Sequence, residues 1–232
     1  MKMLIIIPAY NEARNICSVI DDIRSEVPGA DMLVIDDGSS DATRAFAASK
    51  GVPVVTLPFN LGIGAAVQTG YLYAAKKGYD IAVQFDGDGQ HIAGQIPHLV
   101  APVLADEADV VVGSRFLVKK AYEAELSRMA GIKILSRIVS ALIGQRMTDP
   151  TSGFRAANRQ AIAFYCRNYP DDYPEPEALV LLHRAGFRLA EVPVLMRRRL
   201  LGDSSITFLR AFYYMIKVIL AIMIDMMKAP AR

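Results

Sequence analysis

Short apolar runs alternate with longer amphipathic stretches through the first half of this chain, and that alternation restricts the fold more than any other feature. Met3–Ile7, Met32–Ile35, Val52–Leu57, Ile81–Phe85 and Val110–Val112 read as strands. Glu12–Val27, the stretch from an Asp41 N-cap to Gly51, Gly62–Lys77 and Gln95–Leu104 read as helices between them. Strand after helix after strand predicts an α/β fold: a mostly parallel sheet with helices on both faces. The strands are continuous apolar runs rather than alternating ones, as strands covered on both sides require.

Beyond residue 115 the rhythm changes. A helix is expected over Leu126–Ile143, then a loop, TDPTSGFRAANR. Short helices follow around Ala157–Tyr165 and Glu177–Ala185, then a strand at Arg188–Leu195, a basic loop, MRRRLLGDSS, and a last helix. No low-complexity linker and no internal repeat divides the 232 residues, of which 53% are hydrophobic, enough for a sizeable core. Cys17 and Cys166 match no metal-ligand spacing and are expected as buried thiols in a reducing compartment. MKMLIIIP is too short before Pro8 to serve as a signal-peptide core.

Parallel sheets bind ligands beyond the carboxyl ends of their strands. The chemistry-bearing residues collect there: PAYNE after the first strand, DDGSSD after the second, NLGIG after the third, DGDGQH after the fourth and GSRF after the fifth. Asp86 and Asp88 stand one residue apart, and two carboxylates held that close resist joint ionisation unless a cation lies between them. Hard cations such as Mg²⁺ or Mn²⁺ take oxygen ligands, commonly one or two carboxylates plus substrate phosphates. Asp86, Asp88 and Gln90 are therefore the candidate metal residues. A polar turn with two aspartates is the plainer alternative, and the other acidic loops on the same edge argue against it.

Gly62-x-Gly64 opens a helix after a strand, but Val67 stands where a dinucleotide fingerprint needs its third glycine. The glycines read instead as packing or close-approach positions. His91 could serve as ligand or base, or be structural. Ser152 has no histidine at a spacing that suggests a nucleophile. Charge is uneven: residues 180–232 hold 9 Lys+Arg against 3 Asp+Glu, while the rest of the chain is net acidic. A basic end suggests a phosphate-bearing or anionic-surface partner.

Taken in order, IIIPAYNE, VIDDGSSDAT, NLGIGAA, QFDGDGQH, VVGSRF and TDPTSGFRA resemble the family 2 glycosyltransferases of GT-A fold. They are most similar to the polyprenyl-phosphate glycosyltransferase branch typified by dolichol-phosphate mannose synthase. The resemblance covers roughly residues 3–207. It implies an inverting, metal-dependent hexosyltransferase with a UDP- or GDP-linked sugar donor, Mg²⁺ or Mn²⁺ as cofactor, and polyprenyl phosphate as acceptor. By resemblance, Pro8, Tyr10 and Glu12 line the nucleotide base and Asp37 bonds it, with Asp86 also in the nucleotide site. Asp86, Asp88 and Gln90 hold the cation on the diphosphate. Arg115, Asp149 and Glu177 are the catalytic candidates. Arg155, Arg197, Arg199 and Ser204 are the phosphate and acceptor candidates.

A phosphate acceptor is already an anion and needs no strong base; a hydroxyl acceptor needs Asp149 or Glu177 to take its proton. Transfer to a glycan or protein hydroxyl in cell-surface polysaccharide synthesis is the competing reading. A sugar nucleotidyltransferase is a more distant one, since PAYNEARN lacks the glycine-rich loop that such enzymes carry after the first strand.

The expected division is a GT-A domain over residues 1–206 and an amphipathic helix over 207–232. On a helical wheel Arg210, Lys217, Asp225 and Lys228 occupy only about 80°, and nearly all the rest is apolar. The longest uncharged run there, Val218–Ile224, is far short of the roughly 20 residues a span needs. Expected partners are therefore a membrane surface, a small membrane protein or a second copy of the chain, with no nucleic acid. The expected location is the cytoplasm, peripheral at the inner face of the cell membrane.

Overall fold

The computed structural model describes residues 1–117, 126–170, 174–197 and 208–227. Seven strands form one sheet: β1 (Met3–Ala9), β2 (Asp31–Asp36), β3 (Val54–Thr56), β4 (Ile81–Gln84), β5 (Val110–Ser114), β6 (Arg155–Asn158) and β7 (Leu189–Pro193). Their spatial order is β3-β2-β1-β4-β6-β5-β7. All neighbours pair in parallel except β6, which runs antiparallel between β4 and β5. The mostly parallel α/β sheet expected from the sequence is present.

Among the described residues eight α-helices flank it: α1 (Ile16–Glu26), α2 (Thr43–Ser49), α3 (Ile63–Lys77), α4 (Ile96–Leu104), α5 (Leu126–Ile143), α6 (Arg159–Asn168), α7 (Pro174–Arg184) and α8 (Phe208–Met227). Successive side chains on a strand face opposite ways. In β1, Ile5 and Ile7 join a core with Ile16, Ile20 and Ile23 of α1 and Leu99 of α4. Leu4 and Ile6 join the other core, with Val67 and Tyr71 of α3, Leu135 and Val139 of α5, and Val218 and Ile222 of α8. Gly70 lies where α3 crosses β1, and a Cβ there would meet Ile6 Cγ2 at 2.2 Å. That close approach is why a glycine interrupts the helix interior.

Three boundaries differ from the sequence reading. The first helix begins at Ile16, not Glu12, because Glu12 is used in the loop: its carbonyl accepts from Asn15 N and Ile16 N, each at 2.9 Å. Asp41 stands one residue before the N-cap position of α2, yet its carboxylate accepts from Thr43 N at 2.9 Å and so still caps the helix start. The segment expected as a loop across residues 148–159 contains β6. Cys17 and Cys166 are free and half-buried.

Candidate functional site

The carboxyl ends of β1, β2, β3, β4 and β5 bring five loops to one edge of the sheet. The reversed β6 adds its preceding loop, residues 148–154, to the same edge. Gly87 N donates to Pro8 O at 3.1 Å, and Asp37 N donates to Ala9 O at 2.9 Å, so the three acidic turns are tied together through the backbone of β1.

At the end of β4 the main chain turns sharply. Asp86 N donates to His91 Nδ1 at 3.0 Å, which closes the turn on itself. His91 is buried, stacked on Phe154 at 4.8 Å and edge-on to Phe85 at 5.2 Å. Its contacts are those of a structural pin for the turn. Asp88 accepts from Gln90 N at 3.0 Å and from Gln90 Nε2 at 2.5 Å, so the three predicted metal residues lie in one turn. The Asp86 carboxylate, about one third exposed, accepts from Gln84 Nε2 at 3.3 Å. Burial pushes its pKa up; His91 opposes that and the Asp88 charge adds to it. Gly153 approaches from the opposing loop, where a Cβ would stand 3.0 Å from Asp86 Oδ2 and 2.8 Å from Gln84 Nε2. Among the described residues no three His, Cys, Asp or Glu side chains converge into a closed metal cage. Two carboxylates and an amide on an open edge fit a hard cation that also takes oxygens from a substrate.

At the same edge, after β5 and before β6, Arg115 and Asp149 form a buried bidentate pair. Arg115 Nε reaches Asp149 Oδ2 at 2.6 Å and Nη2 reaches Oδ1 at 2.7 Å. Arg115 N also donates to Oδ2, at 3.1 Å, and Nη2 donates to Thr151 Oγ1 at 3.0 Å. Behind them, Glu191 of β7 accepts from Thr148 N at 2.7 Å and Asp149 N at 2.8 Å, and burial pushes its pKa up. The sequence reading did not name Glu191. Its only mark is a charge inside an otherwise apolar strand. Arg155, 1% exposed, donates to Ser152 O and Pro150 O at 2.8 Å each and braces the TSGF loop from beneath.

Asp37 has both oxygens engaged by backbone, from Leu61 N at 2.8 Å and Gly62 N at 3.0 Å. Burial raises its pKa and these two bonds act the other way. It thereby pins the NLGIG loop beside the cleft. Tyr10 stands exposed on the β1 loop, and Glu12 accepts from Asn15 Nδ2 at 2.7 Å. Arg197 donates its main-chain N to Gln90 O at 2.8 Å and pairs with Asp22 at 2.6 Å, which brings the start of the basic loop against the acidic turn. Arg199 and Ser204 lie outside the described residues. Glu177 is half-buried in α7. Two residues earlier, in the same turn, sits Glu175, also unnamed by the sequence reading. Burial pushes its pKa up, and the charges of Arg155, Asp86 and Arg115 lie near enough to act on it. Two acids in the first turn of a helix are ordinary, which hid it.

The family model for glycosyl transferase family 2 matches residues 4–165. Among characterised relatives, the chain is 30% identical to the undecaprenyl-phosphate mannosyltransferase of Micrococcus luteus, over 89% of this chain and 88% of that one. It is 30% identical to the polyprenol monophosphomannose synthase of Mycolicibacterium smegmatis, over 89% and 81% of the two chains. A dolichyl-phosphate N-acetylglucosaminyltransferase of Methanococcus voltae is also 30% identical, over 82% and 83%. Of solved structures, glucosyl-3-phosphoglycerate synthase from Mycobacterium tuberculosis, crystallised with Mn²⁺, UDP and phosphoglyceric acid, superposes with a TM-score of 0.73. That match covers 96% of this chain and 77% of the other at 22% identity, a likeness of fold.

Proposed function

The chain belongs to the glycosyltransferases of family 2, and from that premise we propose that it moves a sugar from a nucleoside diphosphate to polyprenyl phosphate, with inversion at the anomeric carbon. The observation that carries this reading is the open acidic turn of Asp86, Asp88 and Gln90 facing the Arg115–Asp149 pair across one sheet edge.

In this reading Asp86, Asp88 and Gln90 hold a divalent cation, Mg²⁺ or Mn²⁺, on the donor diphosphate. The cation supplies positive charge where negative charge grows on the leaving oxygen. Pro8, Tyr10 and Glu12 line the base. Asp37 acts on the nucleotide through the Leu61–Gly62 backbone that it fixes. Arg115 presents its charge to the phosphates, and Asp149 sets its orientation. Arg155 shapes the acceptor loop from below, and Arg197 begins the basic segment that continues to Arg199 and Ser204. Glu175 or Glu177 touches the sugar. Preorganised charge of this kind is the main source of rate in such transfers.

A phosphate acceptor suits the site chemically. Both oxygens of Asp149 already accept from Arg115, so Asp149 is poorly placed to remove a proton from a hydroxyl. An anionic phosphate needs no such help. In this reading the transferase body is residues 1–206 and residues 207–232 are appended to it; the described helix of that segment, Phe208–Met227, packs Val218 and Ile222 into the core of the body. No helix among the described residues is long and apolar enough to cross a membrane. A peripheral position at the inner face of the membrane, with self-association or a small membrane partner, belongs to the same reading.

The test is incubation with labelled UDP- and GDP-sugars, Mn²⁺ or Mg²⁺, and polyprenyl phosphate, followed by extraction into organic solvent. Label in the organic phase that depends on the metal and the lipid is expected. Label that stays aqueous for every donor while a glycan acceptor is modified would overturn the choice of acceptor.

A further inference from the structure

Helices α5 and α8 lie side by side over the same core. Leu135 and Val139 of α5 and Val218 and Ile222 of α8 belong to one buried cluster, and a Cβ on Gly131 would meet Met215 Sδ at 3.0 Å. At about 100° per residue, the inward residues fix which side of each helix faces away. On α8 that outward side carries Ile216, Leu220, Met223, Ile224 and Met227, exposed by 44, 52, 58, 54 and 88%. These five fall within an arc of about 100°. A helix on a soluble body normally shows polar residues there. On α5 the outward side carries Lys133, Ile134 and Arg137, all exposed.

On its other flank α5 forms one wall of a cavity of about 510 Å³. Phe116 and Thr148, the neighbours of Arg115 and Asp149, line it together with Lys133, Arg137 and Arg146. Among the described residues none of these three cations has an ion-pair partner. One outward surface thus runs from an apolar helix face through unpaired cations into a cavity that reaches the candidate site.

We propose that this surface docks on an anionic bilayer. The Leu/Ile/Met stripe of α8 enters the boundary between headgroups and acyl chains. Lys133, Arg137 and Arg146 meet anionic headgroups, and the cavity opens at the membrane surface. An amphipathic helix that lies in the interface has this pairing of a broad apolar face with adjacent cations, and anionic leaflets attract such cations. A second copy of the chain fits less well. A two-fold contact sets one patch against itself, and it would bring Lys133 and Arg137 of both copies together with no acid among these outward residues to offset them. The proposal rests on the lipid-phosphate reading only for its purpose: the docking itself is measured without turnover.

The test uses the full chain in flotation with phosphatidylcholine vesicles, with and without phosphatidylglycerol. The wild type is expected to float with the anionic vesicles and to be released by salt. The paired change Leu220→Ser and Ile224→Ser is expected to abolish flotation while nucleotide binding and Tm stay unchanged. Lys133→Glu with Arg137→Glu should weaken it by about fivefold or more per cation, which gives a second measure should the α8 variant fold poorly. Wild-type protein that transfers sugar to prenyl phosphate yet ignores anionic vesicles overturns docking. So does a dimer that the α8 variant makes monomeric without any effect on flotation. Flotation without transfer to any prenyl phosphate leaves docking standing and removes the acceptor reading instead.

Discussion

Arg115 and Asp149, 34 residues apart in sequence, share two parallel hydrogen bonds of 2.6 and 2.7 Å in a site where Asp149 is 0% exposed and Arg115 only 7%. A planar guanidinium matches a carboxylate in this way and a lysine cannot. Both oxygens of Asp149 are committed, so in the proposed reaction its part is to aim Arg115. Asp149→Asn is expected to lower kcat about a hundredfold, the usual scale for one misplaced electrostatic group. It also leaves a buried charge poorly paired and should cost about 3 kcal/mol of stability. Arg115→Lys should lose comparable activity with nucleotide affinity largely kept. Steady-state kinetics and thermal unfolding of both variants check this; Asp149→Asn with normal kcat would remove Asp149 from the site.

The metal assignment is tested at Asp88. Its carboxylate accepts from Gln90 N and Gln90 Nε2. Asp88→Ala should abolish turnover and the metal-dependent part of diphosphate affinity, with the fold intact by circular dichroism. Titration calorimetry of UDP and GDP with and without Mn²⁺ measures that part directly. Unchanged metal dependence in the variant would show that the cation binds elsewhere.

Gly153 offers an independent handle on the same turn. An added methyl would sit 2.8 Å from Gln84 Nε2 and 3.0 Å from Asp86 Oδ2, so the Gln84 amide has to shift and the Asp86 carboxylate it bonds has to give with it. Gly153→Ala is expected to weaken metal-dependent donor binding about tenfold, while stability changes by no more than about 1–3 kcal/mol, the ordinary cost of local overpacking. The check is the Mn²⁺ concentration for half-maximal activity, which should rise. A variant with lowered Tm and an unaltered Mn²⁺ requirement would mean that the loop, not the carboxylate, gives way.

Far from the cleft, Asp109 joins the start of β5 to the start of β7. It accepts from Arg188 N at 2.7 Å, from Arg188 Nη2 at 3.0 Å and from Asn158 Nδ2 at 2.8 Å. The Arg188 side-chain bonds hold its carboxyl below the usual range. A carboxylate depressed in the folded state contributes stability at pH values above its unfolded pKa and loses it as pH falls through the folded one. Asp109→Asn should therefore lower Tm at pH 7 and flatten the acid limb of stability below about pH 4. Parallel acid limbs for wild type and variant in a Tm-against-pH series would contradict this.

The strand and helix alternation, the mostly parallel sheet and the edge that collects the acidic loops were legible in the sequence. β1, β2 and β4 were legible because strands covered on both faces must be apolar without interruption, and that pattern is local. The acidic turn was legible for the same kind of reason: Asp86, Asp88 and Gln90 are near neighbours in the chain. β6 was not legible there: its four residues, Arg-Ala-Ala-Asn, carry no strand pattern of their own. They are a strand because their backbone groups, inserted between β4 and β5, have partners on both sides, and buried amides must be paired. The same holds for the contacts that aim the site. Arg115 meets Asp149 across 34 residues, and Glu191 grips Thr148 and Asp149 across 43 and 42. A charge in a sequence shows that it must be solvated or paired; which partner it meets depends on how the sheet closes around it.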